Sequence, residues 1–164
     1  MRQFYVDTSA LVKRYHDEIG TDVVNVLVDA IASGRANGVI LSLALTETIS
    51  TLHRKMNERV LDKGLFDKLI TVLYEELQHF TILSLDDRKV VSSITYIMQY
   101  SLNSADALHL TAAVMARQSM AAKDDYVFVS CDKRLLTAAK KEKLSILNPE
   151  QRDAQRVVKL LNLK

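Results

Sequence analysis

The sequence predicts one α/β domain in which a parallel sheet of about five short strands lies between helices on both faces, a three-layer α/β/α arrangement. Short apolar runs of four or five residues recur along the chain, and segments with helical periodicity separate them. Gly and Pro together contribute only five of the 164 residues. Strands that alternate with helices form βαβ units, which bury a parallel sheet on both faces.

The predicted strands are apolar runs bounded by turn or capping residues. The segment Tyr126–Ser130 is the strongest of them, because it reads Tyr-Val-Phe-Val-Ser without a charge. Asn148-Pro149 ends the last run, since a residue before proline is biased away from the helical conformation. In chain order the predicted strands are Gln3–Val6, Gly38–Ser42, Phe80–Leu83, Tyr126–Ser130 and Leu144–Leu147.

The segments between the strands predict helices. Thr8-Ser9 can cap a first helix that begins near Ala10, and Gly34 lies where the second helix should end. Apolar residues in that second helix fall at 3.6-residue spacing. The helices predicted after the first span about Thr21–Ser33, Leu43–Asn57, Asp62–Gln78, Asp86–Gln99, Asn103–Ala121 and Asp132–Lys141.

Composition excludes several classes of protein. With 48% hydrophobic and 26% charged residues, the chain is neither low-complexity nor disordered. The single cysteine, Cys131, cannot form an internal disulfide, and no pair of Cys-x-x-Cys motifs is present for structural zinc. The amino terminus lacks the apolar region of a signal peptide, and no apolar run reaches the roughly 18 residues of a membrane span. We therefore expect a cytoplasmic protein without a membrane partner.

Charge is distributed unevenly along the chain. Residues 1–132 hold 13 Lys/Arg and 17 Asp/Glu, whereas residues 133–164 hold nine and three. The basic segment is interpreted either as a solvated helix face with a tail or as a surface for a polyanion. Pro149 suggests a division into a domain of residues 1–149 and a C-terminal amphipathic basic helix or tail of residues 150–164. In this tail an amphipathic arrangement is formed by Val157, Val158, Leu160 and Leu161.

Four carboxylates follow the predicted strands at the edge of the sheet where ligands bind in such folds. Asp7 ends the first strand, and Asp132 follows the fourth by two residues. Glu47 lies one turn into the helix after the second strand, and Asp106 lies in the first turn of its own helix. Any one of the aspartates could simply cap a helix, but Glu47 lies on a mostly apolar helix and needs a partner.

Together the four acids predict a metal site. Clustered carboxylates repel one another unless protons or a cation neutralise them, and oxygen ligands suit Mg²⁺ or Mn²⁺. Such a site can polarise a phosphodiester and lower the pKa of the attacking water, so the predicted chemistry is phosphodiester hydrolysis.

The segments that carry these acids resemble the PIN domain family, and within it the VapC-like toxin ribonucleases. The resemblance covers about residues 1–149 and rests on the stretches Val6–Arg14, Ser104–Leu110 and Val129–Leu135 and on the helix that bears Glu47. It implies a Mg²⁺- or Mn²⁺-dependent endoribonuclease that acts on RNA, is usually a homodimer and is often inhibited by a small antitoxin protein. By motif match, the catalytic and metal-binding residues would be Asp7, Glu47, Asp106 and Asp132, with Ser9 and Ser130 as supporting hydroxyls.

Several further residues could contact the site. Arg54 lies two helical turns after Glu47 and could bind phosphate, as could Lys13 and Arg14, although each is equally interpreted as an ordinary surface cation. His109 shares a helix face with Asp106, but a packed histidine is the favoured interpretation. Where many relatives have Asn or Arg before the last acid, this chain has Cys131, which we interpret as a small packed residue.

Two other functions remain open on the sequence. A PIN-like domain could process or bind RNA without being a toxin. A phosphotransfer signalling domain also gathers acids at strand ends, and Lys133 beside Asp132 would suit it, but no acceptor aspartate is evident in the middle of the chain.

Overall fold

Five parallel strands form the sheet in the computed structural model, which describes residues 1–121, 125–151, 157–159 and 161. The strand order is β3-β2-β1-β4-β5, and each neighbouring pair is parallel. This confirms the predicted three-layer α/β/α fold with a short parallel sheet. The strands are β1 Gln3–Val6, β2 Asn37–Leu41, β3 Phe80–Leu83, β4 Tyr126–Val129 and β5 Ser145–Leu147.

The helices agree with the sequence prediction to within a few residues. The first one differs most: it begins at Thr8 and continues after Leu11 as a tight 3₁₀ turn, Val12–Arg14. A second 3₁₀ turn, Pro149–Gln151, follows the last strand. The α-helices are α1 Thr8–Leu11, α2 Thr21–Ala32, α3 Ser42–Asn57, α4 Lys63–Leu77, α5 Asp87–Tyr100, α6 Ser104–Gln118 and α7 Lys133–Lys141.

The sheet separates two hydrophobic cores because successive side chains of a strand point to opposite faces. Phe4 and Val6 of β1 pack with α1, α2 and α3 on one face. Tyr5 packs on the other face, where its ring stacks on Phe128 and the core continues into α6 and α7. Phe4, Tyr5 and Phe128 have no exposed surface, so burial of large side chains fixes the register of the central strands.

The strand order brings the predicted acids to one place. The chain fills the sheet from β1 to β3 in one direction and then returns to place β4 and β5 on the other side of β1. The order therefore reverses between β1 and β4, the position where open α/β sheets form a crevice. Val6 pairs with Val129 in register, and the amide of Asp7 donates to the carbonyl of Val129 at 2.9 Å, so the segments after both strands start side by side.

The end of the described chain packs against its beginning. Gly20 has φ +94°, and a Cβ atom there would lie 2.8 Å from the carbonyl carbon of Pro149. Val157 is buried in the same core as Phe4, and residues 157–159 and 161 are helical. The rest of the predicted C-terminal helix, 152–156, 160 and 162–164, lies outside the described residues, so the division at 149 stays a prediction. No helix of the described chain has the length and apolar character needed to cross a membrane.

Candidate active site

An open polar cavity of about 590 Å³ lies where the carboxyl ends of the strands meet. All four acids predicted from the sequence line it, although they come from four different segments of the chain. We call this cavity the acidic pocket. Its lining residues are Asp7, Thr8, Ser9, Thr46, Glu47, Ser50, Thr51, Asp106, His109 and Asp132.

Asp7 is the most deeply placed of the four acids, with 3% of its surface exposed. Its Oδ2 atom accepts hydrogen bonds from the hydroxyls of Ser9 at 2.6 Å and Ser130 at 3.0 Å. The amide of Ser9 also donates to it at 3.3 Å, so Asp7 is the N-cap of α1 as well. Its other oxygen lies 3.6 Å from Nε2 of His109. One carboxylate oxygen is thus held by the chain while the other faces the acidic pocket's histidine.

The two serines predicted to support the site link the segments after β1 and β4. Their hydroxyl oxygens lie 3.2 Å apart. The amide of Cys131 donates to Oγ of Ser9 at 2.9 Å, and the amide of Asp132 donates to Oγ of Ser130 at 3.1 Å. The backbone of the second segment is therefore positioned by hydroxyls that also hold Asp7.

Cys131 takes part in this arrangement through its backbone amide rather than its thiol. The side chain is partly buried and packs against the hydrophobic core on the α1 face of the sheet. Burial raises the pKa of the thiol to about 12, although Lys13 lowers it. A thiol that stays protonated is a poor nucleophile, which agrees with its interpretation as a packed residue.

Glu47 obtains the partner that its position on a mostly apolar helix requires. Its Oε2 atom accepts a hydrogen bond from the Thr8 hydroxyl at 2.6 Å and lies 2.9 Å from Nε2 of His109. Burial raises the pKa of Glu47, but the bonds from His109 and Thr8 lower it, and the net direction is downward. Glu47 is therefore ionised and held in place by two neighbours.

His109 is buried and also belongs to the acidic pocket, so the packed interpretation from the sequence describes only half of its environment. Its side chain is 1% exposed, and its Nδ1 atom is hydrogen-bonded to the hydroxyl of Tyr5 at 3.0 Å. Burial lowers the pKa of the imidazole, yet Glu47, Asp7 and Asp106 raise it above its ordinary value. The three-residue spacing between Asp106 and His109 was the sequence signal that His109 could contact the site.

Asp106 and Asp132 complete the acidic pocket in different ways. Asp132 is the N-cap of α7 and accepts a hydrogen bond from the amide of Leu135 at 2.8 Å. Asp106 is not a cap, because Asn103 caps α6 and also donates to Oδ2 of Asp106 at 2.7 Å. Burial and the negative charges of Asp132 and Asp7 raise the pKa of Asp106 to about 6, although His109 lowers it. The acidic pocket therefore holds more negative charge than its own groups neutralise.

The chemistry of these side chains fits a hard divalent cation. Carboxylate oxygens from four acids and hydroxyl oxygens from neighbouring Ser and Thr side chains are the ligands that Mg²⁺ and Mn²⁺ prefer. Burial raises the pKa of Asp106 most, and the charges of Asp132 and Asp7 raise it further; a bound cation would offset the part that these charges cause. In the described part of the chain, no three His, Cys, Asp or Glu side chains already have the arrangement that holds a metal ion.

Of the three cations predicted to contact substrate, Arg54 alone fits that position. It is exposed on α3, one turn beyond Ser50 and Thr51, which line the acidic pocket. Lys13 is 3% exposed, and its Nζ lies 3.0 Å from Glu150. This pairing engages the charge of Lys13 inside the protein and disfavours its predicted contact with substrate, which stays a prediction.

Arg14 is likewise engaged elsewhere. Its guanidinium contacts Oε1 of Glu76 at 2.6 Å and Oδ1 of Asp29 at 2.9 Å. The tight 3₁₀ turn after α1 places Arg14 against α2 and α4. These pairings disfavour the predicted phosphate contact for Arg14 as well, and it stays a prediction.

Comparison with known proteins gives one family. A family model described as PIN domain matches residues 4–141. No match was found among curated proteins.

Several solved structures share the fold at low sequence identity. PAE2754 from Pyrobaculum aerophilum aligns with a TM-score of 0.67 at 16% identity over 96% of this chain and 98% of its own. VapBC2 from Rickettsia felis, bound to a DNA fragment from the promoter, aligns with a TM-score of 0.61 at 14% identity over 89% and 98%. DNA-bound VapBC from Salmonella typhimurium aligns with a TM-score of 0.58 at 13% identity over 91% and 99%.

Proposed function

The chain belongs to the PIN domain family, whose members are nucleases, and we propose that it is a Mg²⁺- or Mn²⁺-dependent endoribonuclease. One observation carries this proposal: four carboxylates from distant segments meet in one open pocket without enough positive charge to neutralise them. Four unrelated helix caps would not share a cavity or raise the pKa of one another.

Asp7, Glu47, Asp106 and Asp132 would hold the cation. A cation bound there would act as a Lewis acid on the phosphodiester and would lower the pKa of the attacking water. The chain's own contribution is to fix these side chains before substrate arrives. Ser9 and Ser130 hold Asp7, Thr8 and His109 hold Glu47, Asn103 holds Asp106, and the amide of Leu135 holds Asp132. Ligands held by neighbours need little reorganisation when the reaction begins.

Substrate binding requires cations outside the acidic pocket, because the carboxylates repel phosphate. The exposed guanidinium of Arg54, one turn beyond Ser50 and Thr51, would contact a phosphate beside the acidic pocket. An acidic centre with cations beside it suits a polyanion that is held by its backbone and cut at one bond.

We further propose that the protein is the toxin of a type II toxin–antitoxin pair, with a small antitoxin protein as partner and a homodimer as its assembly. The likeness in fold to the two structures named VapBC supports this partner. The alternative is a PIN-family enzyme that processes RNA without an antitoxin. Growth arrest on expression, relieved by a small DNA-binding protein from the neighbouring reading frame, would distinguish the toxin.

The nuclease itself is tested by RNA cleavage with and without metal. Purified protein should cleave RNA, lose activity in EDTA and regain it with Mn²⁺. D7N and D106N should each reduce turnover by at least about 100-fold, because each removes a charged ligand and nearly preserves shape. D87N is the matched control, since Asp87 is an exposed acid in the first turn of α5. Cleavage that persists in EDTA, or equal losses in all three variants, would refute the proposal.

A further inference from the structure

Helix α7 begins in the acidic pocket and leads away from it. Its N-cap, Asp132, lines the pocket, and the nine residues that follow form the helix. Leu135, Leu136, Ala138 and Ala139 bury one side of α7 against the protein. On the exposed side every residue except Thr137 is a cation: Lys133, Arg134, Lys140 and Lys141.

These cations form two rows, since residues seven apart lie two turns apart on one face. The row of Arg134 and Lys141 is engaged by the protein. Arg134 donates to the carbonyl of Ser101 at 3.1 Å, and Nζ of Lys141 lies 5.5 Å from the centre of the Tyr100 ring. The row of Lys133 and Lys140 instead lines a cavity.

That cavity, which we call the basic cleft, has a volume of about 740 Å³ and lies between α7 and the outermost strand β5. Polar groups from Thr137, Ser145, Asn148 and Gln151 share its walls with the two lysines. None of its described lining residues is acidic or aromatic. The basic cleft therefore offers positive charge and hydrogen bonds but no surface on which a base would stack.

The rise of an α-helix places Lys140 about 12 Å beyond Asp132, which is the length of three to four stacked nucleotides at about 3.4 Å each. A strand that enters the acidic pocket at Asp132 would meet Lys133 first and Lys140 next. The excess of nine cations over three acids in residues 133–164 gives this end of the chain the charge that a polyanion requires.

We propose that the basic cleft binds the phosphate backbone of the RNA strand on one side of the bond that is cut. This inference rests on the proposed nuclease function and adds to it the path of the substrate. Because the contacts are to phosphates, the basic cleft contributes affinity without selecting a base sequence.

The test measures binding of a labelled single-stranded 12-nucleotide RNA to D7N protein over a range of salt concentrations. Adding K133Q/K140Q removes two phosphate contacts, so the slope of log affinity against log salt should become less negative by about 1.4. Affinity at 0.1 M salt should then fall by about 25-fold. The matched control is R35Q/K68Q, which removes two exposed cations that line neither cavity and should leave the slope unchanged.

Steady-state cleavage gives a second measurement in the active background. K133Q/K140Q should raise KM for the 12-nucleotide RNA with kcat nearly unchanged, whereas K140Q alone should raise KM for the 12-nucleotide RNA but not for a trinucleotide too short to reach Lys140. Equal slopes and KM values for K133Q/K140Q and its control would overturn the basic cleft proposal, even if wild-type protein cleaves RNA. Absence of metal-dependent cleavage by wild type would instead overturn the proposed function. Unchanged RNA binding with loss of self-association would assign the basic cleft to protein contact and also overturn the proposal.

Discussion

Two clusters of charged side chains in this protein are built from similar residues but are balanced differently. In the first, which we call the anchor cluster, Arg14 lies against Glu76 and Asp29, and the hydroxyl of Tyr15 donates to Glu76 at 2.9 Å. In the acidic pocket, four carboxylates share one imidazole. In the anchor cluster both carboxylates contact the guanidinium of Arg14, whereas in the acidic pocket four carboxylates gather around one imidazole.

The pKa directions follow this difference. Burial lowers the pKa of Arg14, but Glu76 and Asp29 raise it. The net direction is upward, which favours the charged guanidinium. In the acidic pocket the raised pKa of Asp106 favours the protonated, uncharged form of this carboxyl. Balanced charge stabilises the fold, and unbalanced charge costs stability that a bound cation can restore.

The largest expected effect is in the anchor cluster. Glu76→Gln leaves the guanidinium of Arg14 without its principal partner, and breaking a buried pair costs about 3–5 kcal/mol. The Glu76 and Arg14 side chains are 13% and 22% exposed, so we expect a loss near the lower value, about 3 kcal/mol. Urea denaturation would measure it, with exposed Glu75→Gln as the control at under about 0.5 kcal/mol. A loss no greater than the control's would show that the anchor cluster does not stabilise the fold.

The second-largest expected effect is the stabilisation of the folded protein by metal bound in the acidic pocket. Mn²⁺ at about 30 times its Kd should stabilise wild type by about 2 kcal/mol, because the ion binds the folded chain alone. Glu76→Gln should keep this increment even though the variant is less stable, whereas Asp106→Asn should lose most of it. Denaturation of all three proteins with and without Mn²⁺ measures the increments. An equal increment in Asp106→Asn would place the metal elsewhere.

Without metal, Asp106→Asn should raise stability. A carboxyl whose folded pKa is raised to about 6 destabilises the folded state as pH rises from about 4 through 6, since the unfolded chain releases its proton first. Because Asp106 is only half-buried, solvent screening reduces the effect at pH 7 to about 1 kcal/mol. The gain of the variant over wild type should be near zero at pH 4 and grow towards pH 7 in EDTA. A gain that is constant with pH, or a loss, would contradict the raised pKa.

The smallest effect separates the two roles of Asp132. Asparagine and alanine both remove its charge, but asparagine alone can still accept the hydrogen bond from the amide of Leu135. Asp132→Asn should therefore be more stable than Asp132→Ala by about 0.5–1 kcal/mol in EDTA, measured by urea denaturation. Equal stabilities would mean that the cap contributes nothing measurable to α7.

Local sequence pattern was sufficient to predict the strands and most helix boundaries. It also predicted that the four acids meet, because the carboxyl ends of parallel strands lie at one edge of the sheet. Two alternatives posed from the sequence were not exclusive: Asp7 and Asp132 each cap a helix and also line the acidic pocket. The pairing of Lys13 with Glu150 could not be read from local pattern, since 137 residues separate them. Long-range partners of charged side chains depend on the packed fold rather than on periodicity.

The central position of β1 has a consequence for the order in which the site assembles. Asp7 is made before most of the domain, but Ser130, which holds its carboxylate, follows 123 residues later, and His109 lies 101 residues beyond Thr8. Contacts this distant must wait for loop closure over most of the chain. A nascent chain that has not yet emerged as far as β4 therefore has no assembled acidic pocket. The pocket forms only after the ribosome has made every segment that lines it.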